Sequence, residues 1–169
     1  MKLHCNRSKL IGIFVVCGLV STSTLALESD KNQPVNYTSV GGLKMQEQGN
    51  SRIVTMEQEV IVTRGSLQIT GDKAIFEYNL TTDELLKVTV NGSPAHYQQQ
   101  LDTSEDLVLG ASETIYYTSN IETIIEFVGD ASLRQPGTTT NCVAIKYFAD
   151  TELFETTGPC SGVLSSPAN

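Results

Sequence analysis

A two-strand pattern recurs three times along this chain and leaves room for little besides antiparallel sheet. The segments Lys73–Tyr78, Glu113–Thr118 and Val143–Phe148 each read as a strand. Each is followed by a polar turn and a second apolar run, at Leu85–Val90, Ile121–Val128 and Leu153–Thr156. In a strand, successive side chains point to opposite faces, so alternation of this kind marks one face for burial. A hairpin repeated in this way stacks its copies into an elongated sheet.

The rest of the chain carries the same signal. Ile53–Met56, Val60–Thr63, Leu67–Thr70, Ala95–Tyr97, Leu107–Leu109, Ala131–Gln135 and Gly162–Leu164 are short runs rich in Val, Ile, Thr and Tyr. Gly71-Asp72, Asn91-Gly92-Ser93-Pro94 and Pro136-Gly137 stand between runs as turn signals. The polar stretch Gln98–Asp106 reads as a long loop, and Glu28–Val40 as a first edge strand. No segment sustains a helical period over a dozen residues. The expectation is an all-β domain of about a dozen strands, antiparallel because the connections are too short for parallel crossovers.

The N-terminus has the pattern of an export signal. Lys2, Arg7 and Lys9 precede the apolar run Leu10–Val20, and Thr24-Leu25-Ala26 offers a small-x-small cleavage site. The run is shorter than the roughly 20 residues a spanning helix needs. The expected organisation is a leader over 1–26 and a single domain over 27–169. The domain keeps eight of the eleven basic residues and all nineteen acidic ones, a formal net charge of −11. That balance excludes a nucleic-acid partner, because such binding rests on basic residues meeting phosphates. Cys5 and Cys17 leave with the leader. Cys142 and Cys160 remain, 18 apart, in a chain bound for an oxidising compartment. They are expected to form a disulfide that closes the last hairpin and contributes about 3 kcal/mol.

Catalytic patterns are missing from the sequence. His96 is the single histidine of the domain, too few for a histidine metal pair. There is no Gly-x-Ser-x-Gly turn, and Gly41-Gly42 is not followed by the Lys-Ser/Thr of a phosphate loop. Acidic pairs such as Glu57/Glu59 and Glu105/Asp106 read as solvated faces. A secreted carbohydrate-active enzyme would need one such pair as its acid and base, and the chain has no tryptophan for a sugar platform. The expectation is a protein that is not an enzyme, with no catalytic residue, metal or cofactor.

Several ordered segments resemble one family. Gln33-Pro34-Val35 and Leu43-Lys44-Met45 come first, followed by Glu59–Ile69 with Gly71-Asp72-Lys73-Ala74. Gly92-Ser93-Pro94-Ala95 before Tyr97, Gly110-Ala111-Ser112 before Tyr116, and Gly129-Asp130-Ala131-x-Leu133-x-Gln135 complete the set. In order and spacing these are similar to the OstA-like family of periplasmic lipopolysaccharide transport proteins, over Asp30 to about Leu164. Glu59 departs from the family's usual Gly or Asn, and Gly129-Asp130 replaces Gly-Asn. The resemblance implies a twisted, open antiparallel β-jelly roll, V-shaped in section, with an apolar interior. It implies a carrier and bridge that shields lipid A acyl chains of lipopolysaccharide across the periplasm of a Gram-negative bacterium. The implied partners are LptC-like and LptD-like jelly-roll domains and further copies of the chain, joined head to tail. The lipid-binding groove carried over position by position comprises Val35, Met56, Tyr97 and Tyr116. Strand alternation adds Ile69 and Phe76. The alternatives are an exported structural β-repeat protein that binds no lipid, and an LptC-like homologue that stays anchored. The acidic balance argues that phosphorylated headgroups stay in solvent, and Arg52, Arg64, Lys73, Lys87 and Arg134 read as surface charge.

Overall fold

The structure, a computed structural model, describes residues 30–101 and 104–165. The expected leader, 1–26, lies outside the described residues. The remainder forms one nine-stranded antiparallel sheet: β1 (Asn36–Thr38), β2 (Leu43–Gln48), β3 (Ser51–Arg64), β4 (Leu67–Asn79), β5 (Leu85–Gln100), β6 (Leu107–Ser119), β7 (Thr123–Gln135), β8 (Thr138–Phe148) and β9 (Leu153–Leu164). From β3 onward each strand pairs with the next in the chain. β1 and β2 lie side by side along the free edge of β3, and β9 forms the opposite edge, so the sheet is open.

The strands are fewer and longer than expected, for one reason. Most of the glycine- and asparagine-rich breaks between short runs are irregularities within a strand, where pairing slips and resumes. The register shifts between Glu57 and Val60 in β3, Thr70 and Lys73 in β4, Asn91 and Ala95 in β5, Ala111 and Thr114 in β6, and Val128 and Ala131 in β7. The last shift falls where Cys142 and Ala144 of β8 face β9. Successive shifts lie opposite one another, so they form a crease across the whole sheet. Bulges bend the strand that carries them and increase its local twist. The crease divides the sheet into two. Half-sheet I holds β2, the three sequence-repeat hairpins and the first part of β3. Half-sheet II holds β1 and the remaining strand segments.

The halves face each other across a common core. The Tyr97 ring of half-sheet II meets Phe127 of half-sheet I edge-on, at 5.5 Å between centroids, and Tyr147 at 6.3 Å. Toward the N-terminal edge, Tyr37 meets Phe76 at 6.0 Å. Gly110 gives Phe127 its place, since a Cβ there would lie 2.3 Å from a ring carbon. Other segments differ from the sequence reading at their ends. The N-terminal stretch is a helical turn at Asp30–Lys31, and only Asn36–Thr38 of it is strand. The loop before β6 begins after Gln100, because Gln98 to Gln100 continue β5.

Gly110→Ala should lower stability by about 1–3 kcal/mol, the range for an overpacked core. Chemical denaturation checks this. An unchanged midpoint would mean that the two halves are not held at the separation described.

Candidate functional site

The inner face of the folded sheet is one continuous apolar cluster. In half-sheet I it comprises Val54 and Met56, Ala74 and Phe76, Val88 and Val90, Ile115 and Tyr117, Ile125 and Phe127, and Ile145 and Tyr147. All are buried. In half-sheet II, Val60, Val62, Leu67, Ile69, Ala95, Tyr97, Val108, Ala131, Leu133 and Cys142 continue it. Of the expected groove residues, Met56, Ile69, Phe76 and Tyr97 lie together on this face, and Val35 packs against it from the N-terminal side. The interior is filled by these side chains: Tyr97 is 2% exposed and Met56, Ile69 and Phe76 are each 1%.

Tyr116 does not join them. It pairs with Thr89 and Glu126 on the outer face, where the Lys87 ammonium sits 4.0 Å from its ring centroid. The buried residue is Tyr117. Val108, Gly110 and Ser112 point inward at even positions of β6, and the bulge before Thr114 moves the inward set to Ile115 and Tyr117. The disulfide is present between Cys142 and Cys160, which face each other across β8 and β9 with Cα atoms 4.3 Å apart. Cys142 belongs to the buried core, so the bridge that closes the last hairpin starts from the inner face.

At both edges of the sheet the apolar face runs out into solvent. Leu43 and Met45 of β2 pair with Met56 and Val54 and share their face, yet are 46% and 58% exposed. On β9, Phe154 pairs with Tyr147 and packs against the core, while Leu164, opposite Thr138, is 82% exposed. Pairing continues on neither side beyond β1, β2 and β9 among the described residues.

The mouth of the fold, away from the crease, is closed by polar contacts that the sequence reading missed. Arg64, the last residue of β3 in half-sheet II, donates to Tyr117 Oη and Ser119 Oγ of half-sheet I, both at 2.8 Å. It also donates to the carbonyls of Gln33 and Lys31. The Asp30 carboxylate accepts from Ser66 N at 2.9 Å, Ser66 Oγ at 2.6 Å and Gln99 Nε2 at 3.2 Å. Gly65 makes this approach possible, since a Cβ there would overlap that carboxylate. Lys31 forms an ion pair at 3.1 Å with Asp150, in the β8–β9 turn of half-sheet I. Gln135 Nε2 donates to Glu152 O at 3.0 Å. Arg52 and Lys73, by contrast, make surface ion pairs with Asp83 and Glu57. Among the described residues no group of three or more His, Cys, Asp or Glu side chains is placed to hold a metal.

Burial raises the Tyr97 phenol well above its ordinary value, reinforced by Tyr147, Tyr117 and Asp30. Its hydroxyl donates to the buried Gln99 Oε1. The unfolded chain releases this proton near pH 10 and the folded chain does not, so the folded state binds more protons above that point. Stability should therefore be insensitive to Tyr97 below about pH 10 and fall as pH rises beyond it. Tyr97→Phe should cost about 1–2 kcal/mol at neutral pH, because Gln99 loses its donor, and should flatten the alkaline fall. Denaturation midpoints from pH 8 to 11 measure both. An equal alkaline slope in the variant would contradict the assignment.

The geometry defines a class of folded-sheet protein: an open antiparallel jelly roll whose apolar interior reaches both edges. Residues 29–153 match the family described as "LptA/(LptD N-terminal domain) LPS transport protein", and the chain belongs to that family. It is 29% identical over 149 residues to the lipopolysaccharide export system protein LptA of Haemophilus influenzae, covering 87% of this chain and 81% of that one. It is 25% identical over 153 residues to the lipopolysaccharide export system protein LptH of Pseudomonas aeruginosa, covering 90% and 85%. The crystal structure of LptH, described as the LptA-homologous periplasmic component of a lipopolysaccharide transport device, superposes with a TM-score of 0.72. That match is at 19% identity over 82% of this chain and 99% of the other, and bears out the jelly-roll fold.

Proposed function

We propose that this chain is a periplasmic lipopolysaccharide carrier that shields acyl chains on the inner face of its folded sheet. The observation that carries this reading is the continuity of that face, from exposed Leu43 and Met45 on β2, through the packed interior, to Phe154 and Leu164 on β9. Family membership supports it. Removing an acyl chain from water contributes about 0.8 kcal/mol per methylene, so hydrophobic contact alone can hold such a ligand. No covalent chemistry is required, and the protein acts as a carrier, not an enzyme. The lipid-contacting residues in this reading are Val35, Met56, Ile69, Phe76 and Tyr97, with Tyr117 in place of Tyr116. Because the interior is filled, the half-sheets must part to admit the chains. The leader over 1–26 delivers the domain to the periplasm.

A photo-crosslinking residue at Tyr97 or Met56 should label lipopolysaccharide in the native envelope, and one at Tyr116 should label it at least tenfold less. Equal labelling at Tyr116 and Tyr97 would remove the inner-face assignment. Absence of label at every position, with no lipid in mass spectra of the purified protein, would favour the structural β-repeat reading.

The same reading extends to assembly. β9 runs through Thr156–Leu164 without a charged residue, its one proline there, Pro159, lies in the irregularity between Thr157 and Cys160, and its outer edge has no partner among the described residues. Unpaired strand edges recruit other strands unless blunted by charge or proline. A second copy adding its β1–β2 edge to β9 makes a heterologous contact that can propagate. It would also set the two inner faces end to end. LptC-like and LptD-like jelly rolls would dock on the same edges. Light scattering should show mass rising with concentration, and truncation after Cys160 should return the monomer. A full-length chain that stays monomeric at high concentration would remove the bridge while leaving the carrier.

A further inference from the structure

The contacts across the mouth are concentrated in one place. Resting on the carrier reading, we infer that the segment Asp30–Val35, gathered around Arg64, is a latch on the mouth of the folded sheet, and that acyl chains enter beside it when it opens. The two half-sheets are continuous at the crease, so they can separate only at the opposite side. There the polar ties between them include Arg64 to Tyr117 and Ser119, Lys31 to Asp150, and Gln135 to the Glu152 carbonyl. The first two involve the N-terminal segment or the arginine that binds it. The segment is fastened to half-sheet II by Asp30 on Ser66 and Gln99, and it reaches half-sheet I by Lys31.

Two features mark this as a place built to release. First, the bonds here are polar, whereas the crease side is covalent backbone and packed apolar rings. Polar ties can be exchanged for bonds to water, and a partly exposed ion pair holds weakly. Second, the closed form leaves a defect under the latch. Thr123 is 4% exposed and its Oγ1 has no hydrogen-bond partner among the described residues. It lines a small void with Asp30, Arg64, Gln99 and Tyr117. A buried hydroxyl left unpaired destabilises the arrangement that buries it.

Beside the latch lies the way in. A depression of about 470 Å³ opens between the halves, lined by Val35 and Arg64 on one side and Leu85, Leu86, Ser119 and Ile121 on the other. Val35 and Leu85 are packed against the core, so its floor leads to the inner face. Ile121 at its rim is 96% exposed. The ligand class is an amphiphile whose acyl chain lies along Val35, Leu85 and Ile121. A latch that holds the empty state shut lowers apparent affinity for such a ligand, and loosening it raises affinity by the same factor.

The test uses protein produced from the full chain, purified lipopolysaccharide as probe, and the photo-crosslinker at Met56. Lys31→Glu sets a like charge against Asp150 and should raise both the rate of labelling and the affinity roughly three- to tenfold. Asp150 also accepts from Thr123 N at 3.2 Å, so Asp150→Lys is measured alone as well: alone it should raise both, and added to Lys31→Glu, where it restores an opposite-charge pair, it should bring both back to within about twofold of the parent. Arg64→Lys keeps the charge but not the fan of donors and should act in the same direction as Lys31→Glu. If Arg64→Lys does not fold, the charge-swap pair decides the matter alone. Unchanged or slower labelling of Lys31→Glu overturns the latch while leaving the carrier intact. No labelling of parent or variants overturns the carrier reading itself.

Discussion

A sheet of strands eleven to sixteen residues long, with one apolar face, cannot stay flat in water. The described residues include no helix layer to cover it, so the face is buried against itself. Seven consecutive strands meet this constraint by slipping register at one level, and the resulting crease lets half-sheet I lie over half-sheet II. Everything that positions the interior depends on that line. Tyr97 reaches Phe127 and Tyr147 because the two halves fold toward each other, and Gly110 is a glycine because Phe127 then arrives where its Cβ would be. The crease also fixes where the fold can open. One side is continuous chain, so any change in separation is confined to the mouth and to the two edges.

The parts of this design that are local were legible in the sequence. The repeated hairpins are β4–β5, β6–β7 and β8–β9, and alternate residues of their apolar runs face the core, among them Phe76, Val88, Ile115, Phe127 and Ile145. The cysteine pair is cross-strand, as the spacing and compartment suggested. A mid-strand bulge and a chain-reversing turn, however, use the same residues. Gly71-Asp72 and Gly129-Asp130 relax the backbone without reversing it, whereas Arg64-Gly65-Ser66 reverses it, and only the pairing tells them apart. The cost of that ambiguity is a shift of phase. Across the β6 bulge the inward residues change from even to odd, which moved Tyr116 out and Tyr117 in.

One departure from the family's pattern has a physical reading. Gln58 and Glu59 adopt φ values of 65° and 50°, in the left-handed region where a Cβ is crowded. The family's usual Gly or Asn at Glu59 suits that conformation, so the bulge is imposed by the sheet around it and not by the residue. Arg64 was equally hard to read. In sequence it is a basic residue beside a turn, and its role comes from contacts 31 to 55 positions away, with Lys31, Gln33, Tyr117 and Ser119. No local pattern encodes a contact of that kind.

A filled interior has a consequence for a protein that carries lipid. If the inner face were a rigid empty groove, an acyl chain would gain the full transfer free energy on entry, on the order of 10 kcal/mol for twelve or more methylenes. Such a ligand would hardly leave. In the carrier reading proposed above, the chain displaces contacts that the face already makes with itself, among them Met56, Ile69, Phe76 and Tyr97, so the net gain is the difference between two apolar packings. In the closed form described, little of the face meets water. Small net affinity with a dry empty state is the combination a carrier needs to take up a lipid from one neighbour and give it to the next. It follows that strengthening the closed core and strengthening lipid binding are opposed in this fold, since both draw on the same surface.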